Sequence, residues 1–166
     1  DHYYNLYKGS VSEDGEVGKL KQLRGSVRTK FHESYLSYDV KNNLVYFTRN
    51  NYLGKAGFDD DKGMRLKIYK ARVKGDKFVD VEELPFNSAS YSCGHPTVSS
   101  DGSKLYFVSD MPGGYGGSDI YSVDIYPNGE YGEPKNLGEK VNTSNNEVTP
   151  FYHSKDNVLF FSSVGH

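Results

Sequence analysis

Hydrophobic positions in this chain come in short clusters separated by polar turns, and three clusters are versions of one strand. They are Leu44-Val45-Tyr46-Phe47, Lys104-Leu105-Tyr106-Phe107 and Val158-Leu159-Phe160-Phe161. A polar turn precedes each: Asp39 to Asn43, Ser100 to Ser103 and Ser154 to Asn157. Before each turn the pattern predicts a further short strand, around 34–38, 96–99 and 149–152. A second signature, Leu6-Tyr7, Ile68-Tyr69 and Ile120-Tyr121, opens runs that lead to the turns Glu13-Asp14-Gly15, Lys74-Gly75-Asp76 and Pro127-Asn128-Gly129. A third is a leucine, Leu23, Leu84 or Leu137, with a polar tail behind it.

The intervals make this a repeat. From the Tyr of the second signature to the leucine is 16, 15 and 16 residues, and from the leucine to the last aromatic of the first is 24, 23 and 24. One interval varies, because Phe47 to Tyr69 takes 22 residues and Phe107 to Tyr121 takes 14. The extra length, about eight residues, falls in Asn50 to Met64. Lys67, Tyr69 and Ala71 alternate with Ile68, Lys70 and Arg72, as a half-buried strand requires.

Each unit therefore reads as four antiparallel strands with no helical period between them, the sequence form of a propeller blade. The expected fold is all-β, an arc or fragment of a larger β-propeller. Its parts are a half blade over 1–30, blades over 31–91 and 92–144, and a half blade over 145–166. A β-sandwich accounts for the strand density but not for the constant intervals. An arc leaves sheet faces and strand edges to be covered by neighbouring chain or by a partner.

Composition agrees with many short strands. Hydrophobic residues make up 36%, yet aromatics reach 14% through 15 Tyr and 9 Phe, and 18 Gly punctuate the chain. Twenty basic and 22 acidic residues are spread along it, for a net charge of -2, so no basic stripe points to nucleic acid. The single Cys93 forbids an internal disulfide framework. No apolar stretch is long enough for a transmembrane helix. The opening Asp1-His2-Tyr3-Tyr4 reads as a processed or trimmed start.

The run from His95 to Asp110, His-Pro-Thr-Val-Ser-Ser-Asp-Gly-Ser-Lys-Leu-Tyr-Phe-Val-Ser-Asp, resembles the core motif of WD-like propeller repeats of the TolB type. The Gly-rich continuation from Met111 to Tyr121 and the segment from Gly132 to Thr143 fit the same pattern. The combination is similar to the propeller segment of OmpA-family envelope proteins of Bacteroidota, some of them linked to type IX secretion and gliding. The resemblance covers nearly the whole chain and is strongest from Leu66 to His166. It implies a non-catalytic interaction or scaffold module, periplasmic and associated with the outer membrane. Its partners would be envelope proteins in a multi-protein assembly, with peptidoglycan reached only through a domain that this sequence does not contain. The alternatives are a propeller accessory domain of a hydrolase and a carbohydrate-binding module.

Candidate chemistry is sparse, and no catalytic residue, metal site or cofactor is expected. Asp59 and Asp61 could offer carboxylates to Ca²⁺, with backbone carbonyls completing an oxygen shell, but the alternating acids and distant Glu of an EF-hand are missing, which favours a solvated turn. As a long loop on a rigid scaffold, this insertion is the first choice for partner contact, through Asn51, Tyr52, Phe58, Asp59, Asp60 and Asp61. Tyr115 joins them from the loop Gly113 to Gly117. That loop lacks the Lys-Ser/Thr close of a phosphate site, and its glycines suit a tight positive-φ connection. Asp110 and Asp119 flank it as acids expected to satisfy backbone N–H groups. His32, His95 and His153 fall near equivalent blade positions, so a repeated structural role is expected. Cys93 beside His95 reads as a small buried residue.

Overall fold

The computed structural model describes residues 4–27, 29, 31–50 and 65–166, and among these the secondary structure is β only. In chain order the strands are β1 (Tyr7–Lys8), β2 (Lys21–Gln22), β3 (Arg24–Gly25), β4 (Glu33–Asp39), β5 (Leu44–Asn50), β6 (Leu66–Lys74) and β7 (Lys77–Glu83). There follow β8 (Cys93–Val98), β9 (Lys104–Ser109), β10 (Asp119–Asp124), β11 (Lys135–Asn136), β12 (Glu147–His153) and β13 (Val158–Ser163). They form a five-stranded sheet in the order β3-β7-β6-β5-β4, curled into a half-barrel, and a four-stranded sheet β11-β10-β9-β8. The pairs β1-β2 and β12-β13 stand at either end.

Consecutive strands of one unit pair antiparallel, and the registers repeat. Glu33 faces Arg49, Cys93 faces Ser109 and Glu147 faces Ser163. Tyr7 faces Gln22, Tyr69 faces Glu83 and Tyr121 faces Asn136. The three signature leucines do the same thing in each unit: Leu23, Leu84 and Leu137 donate their N–H to the carbonyls of Leu6, Ile68 and Ile120. β12-β13 is thus a first and second strand, and β1-β2 a third and fourth.

Alternation along β6 misjudges its burial, because both faces of its sheet are covered. Ile68 packs with Tyr46, Leu84 and Phe86 against Val98, Leu105 and Phe107 of the next sheet. Ala71 packs on the other side with Val45, Phe47 and Phe78 against Leu23 and Val27. Stacking sheets face to face is what lets strands this short bury enough apolar surface to hold.

The parallel pairing of β3 with β7 was not expected. Gly25 makes it possible: its φ is +98°, and a Cβ there would sit 2.2 Å from the Phe78 carbonyl oxygen.

Successive sheets are also tied by hydroxyls. Ser37 Oγ accepts from the Val98 N–H at 3.0 Å, and at the equivalent place one sheet on, Thr97 Oγ1 accepts from the Tyr152 N–H at 3.0 Å. In the five-stranded and the four-stranded sheet an asparagine amide brackets the third strand of the unit. Asn87 accepts from Ile68 N–H at 2.9 Å and donates to its carbonyl at 2.7 Å, and Asn142 treats Ile120 alike at 2.7 and 2.9 Å.

Candidate functional site

The first strands of three successive units, β4, β8 and β12, line one groove of about 660 Å³. Each of these strands carries a bulge at the same place, where the register shifts between Ser34 and Ser37, Gly94 and Thr97, and Val148 and Phe151. The bulged residues are Tyr35, His95 and Thr149, with φ of +48°, +54° and +50°. No glycine relieves these positions, and for the β-branched Thr149 such a φ is a genuine outlier. Left-handed backbone at a non-glycine residue costs about 1–3 kcal/mol each time. A proline follows at two of the three, Pro96 and Pro150, and proline within a strand belongs at a bulge because it brings no N–H to the ladder.

The bulges place side chains along the groove. The rings of Tyr35 and His95 lie 3.8 Å apart, tilted by 33°. His95 donates its backbone N–H to Thr48 Oγ1 at 2.9 Å, while its buried Nδ1 has no hydrogen-bond partner among the described residues. Burial lowers the imidazole pKa below its ordinary value, which favours the neutral ring at pH 7. Exposed Tyr35, Tyr38 and Phe151 add aromatic surface, while the Ser37, Thr97 and Ser99 hydroxyls beside them are engaged by Val98 N–H, Tyr152 N–H and Asp101. None of the lining residues is Asp, Glu, Lys or Arg. Such a wall can hold an uncharged segment through its ring faces.

Buried acids behind the groove hold the first strands rather than face it. Glu33 takes a hydrogen bond from Thr29 Oγ1 and pairs with Arg49 Nε at 3.2 Å, yet desolvation outweighs these partners and raises its pKa. Arg49 in turn lies over the rings of Phe47 and Tyr69, 5.2 and 4.9 Å from their centroids. At the equivalent Glu147, desolvation pushes upward but is overcome by hydrogen bonds from Ser163 Oγ at 2.6 Å and from Thr143 N and Oγ1 at 2.9 and 2.7 Å, so its pKa falls. Cys93 occupies the same position in the middle unit. Burial, only partly offset by the Ser109 hydroxyl 3.6 Å away, pushes its thiol up to about 12, the state of an unreactive core residue.

Of the candidate contact residues, Asn51, Tyr52, Phe58, Asp59, Asp60 and Asp61 lie outside the described residues. Tyr115 is exposed, but it stands on the β9–β10 loop and does not line the groove. Its loop is built as expected. Gly113 has φ +90°, Asp119 accepts from the N–H of Tyr115 and Gly116 at 2.5 and 3.1 Å, and Asp110 accepts from Ser92 N–H at 2.6 Å. The three histidines turn out not to be equivalent. His95 is the bulge residue, His153 ends β12 beside Asp156 at 3.1 Å, and His32 precedes β4 and accepts from Tyr4 N–H. The groove itself was not foreseen, although Pro96 and Pro150 inside strand patterns were the signal for it.

Among the described residues no three His, Cys, Asp or Glu side chains gather as metal ligands, and no helix is long and apolar enough to cross a membrane. Comparison with models of protein families found no match, and comparison with curated proteins found none either.

Proposed function

We propose that the chain is an arc of propeller blades acting as a non-catalytic interaction module, within an envelope assembly of the kind its repeat motifs resemble. The propeller reading is supported by the repeated strand registers and by sheets stacked face to face. The interaction reading is carried by one observation, the groove where three costly bulges align Tyr35, His95 and Thr149. Left-handed backbone held at the same point of three strands gives the groove its shape, and strained backbone of this kind clusters where proteins meet ligands. The uncharged aromatic and hydroxyl lining suits a neutral loop or peptide of a partner protein, and it offers nothing to a phosphate backbone.

The test is capture from envelope fractions. Wild-type protein should retain partners that Tyr35→Ala and Tyr38→Ala lose while Tyr115→Ala keeps them. Equal capture by all four, or fractionation of the protein as a free cytosolic monomer, would sink the proposal. The same lining also suits a neutral glycan, with rings as stacking platforms. Binding on a glycan array that disappears with Tyr35→Ala would favour that second reading.

A further inference from the structure

The groove is built from sheet edges, and those edges decide what can lie in it. β4, β8 and β12 each stand at one edge of their sheet. An open edge ordinarily takes up a further strand, whose backbone pairs with its free N–H and C=O groups. Here each edge is broken by a bulge at Tyr35, His95 or Thr149, and Pro96 and Pro150 bring no N–H where a ladder would run. Beyond the bulges, Val98 N–H in β8 and Tyr152 N–H in β12 are already held by Ser37 and Thr97 of the preceding unit. A partner segment in this groove is therefore not held as an added β-strand.

Side-chain hydrogen bonds are scarce in the wall as well. Ser99 donates to Asp101, Tyr38 to Asn43 Oδ1 at 2.9 Å and Tyr152 to Asn157 Oδ1, so these hydroxyls serve their own chain. Tyr35 differs: it is 49% exposed, and its hydroxyl has no partner among the described residues. What the wall does offer is ring faces, Tyr35 against His95 at 3.8 Å and Tyr152 stacked on Tyr106 at 5.9 Å, with no Asp, Glu, Lys or Arg in the lining. A segment with an N–H on every residue would give up hydrogen bonds to water against these rings and regain few. The hydroxyls of a glycan meet the same shortage.

We infer that the groove takes a proline-rich segment of a partner protein in the polyproline II conformation. Proline has no N–H to leave unpaired. The polyproline II backbone needs no ladder, is uncharged like the wall, and is ordered before it binds, so little conformational entropy is lost. Its pyrrolidine rings lie on Tyr35, His95 and Tyr38, and one of its carbonyls accepts from the free Tyr35 hydroxyl. This inference rests on the reading of the groove as a contact surface, and uses neither the propeller nor the envelope reading.

The test is fluorescence anisotropy of labelled decaproline titrated with the 166-residue chain, beside a glycine-serine peptide of equal length and labelled cellohexaose. Decaproline should bind saturably and the other two should not. Its affinity should change less than about twofold between low and high salt, since no charged side chain lines the groove. Tyr35→Ala should weaken binding by about tenfold or more, Tyr35→Phe by roughly two- to tenfold, the worth of one hydrogen bond, and Tyr115→Ala not at all. Tyr35→Phe keeps the ring on His95, so it reads the hydroxyl even if Tyr35→Ala disturbs the bulge. No saturable binding of decaproline, equal binding of the glycine-serine peptide, preference for cellohexaose, or indifference to both Tyr35 variants overturns the inference. If decaproline fails while capture of envelope partners still depends on Tyr35, the groove stays a contact surface and only the proline-rich occupant falls; if capture is indifferent too, both fall.

Discussion

Removing the Asn142 amide tests whether the repeat extends to individual hydrogen bonds. Asn142 is 2% exposed and makes three of them, accepting from Ile120 N–H and donating to Ile120 O and to Asn136 Oδ1. In Asn142→Ala the losses are unequal. The Ile120 carbonyl keeps Leu137 N–H, and Asn136 Oδ1 keeps Gly138 N–H, so neither is orphaned. The Ile120 N–H, on a residue with no exposure at all, loses its acceptor outright. An orphaned buried donor costs about 1–3 kcal/mol and the two lost donor bonds add roughly 1 kcal/mol, so about 2–4 kcal/mol in all. Asn87→Ala orphans Ile68 N–H in the same way while Leu84 N–H stays on the Ile68 carbonyl, so it should cost a comparable amount. The assay is urea unfolding followed by circular dichroism, with exposed Asn128→Ala as control. A cost below about 0.5 kcal/mol for either variant, the range of ordinary surface changes, would refute the claim that these amides hold the third strands.

Three further outcomes follow from the groove and the strands behind it. His95 has a folded pKa below its ordinary 6.5, so the unfolded chain binds more protons as pH falls; its contribution is whole above 6.5 and declines below it. The urea midpoint should therefore fall more between pH 7.5 and pH 5 for wild type than for His95→Gln, Glu33 drawing the opposite way in both proteins; equal falls would exclude His95 as the cause. Cys93, with a thiol near 12, should resist a thiol reagent in the native protein at pH 8 and react on denaturation, and rapid native labelling would contradict its burial. Thr149→Asn should raise stability by about 0.5–1 kcal/mol, because asparagine tolerates positive φ better than a β-branched residue and only an exposed 3.3 Å bond to Ser162 Oγ is lost. A destabilised variant would mean that the bulge is not strained.

Much of the sheet order could be read from the chain because one constraint, the pairing of the Ile/Leu-Tyr strand with the strand ending at the leucine, was repeated three times at nearly constant spacing. Tyr7, Tyr69 and Tyr121 each face the residue just before that leucine. What escaped notice has no such constant spacing. The bracketing asparagine lies three residues past Leu84 but five past Leu137, since the turn at Gly138, where Val141 and Asn142 both bond back to its carbonyl, lengthens the path. The β3–β7 pairing involves two residues on each side, too few for a period to show, and depends on a glycine whose role is visible only against the Phe78 carbonyl.

The groove escaped for a different reason, and that reason bears on what it does. Its three bulge residues, Tyr35, His95 and Thr149, share no chemistry, so no side-chain motif could mark them. They share a backbone conformation that suits none of them. A bulge imposed on tyrosine, histidine and threonine alike is set by the sheet: the strand must kink between Ser34 and Ser37, Gly94 and Thr97, and Val148 and Phe151 to pair with its neighbour at both ends. The repeat therefore supplies the shape of the groove and leaves its lining free to differ from one strand to the next. A ring pair at Tyr35 and His95, a hydroxyl at Thr149 and an exposed Phe151 make the wall unlike along its length. A surface with a common frame and unlike contacts can fix the direction in which a partner segment lies, which a surface of three identical positions could not.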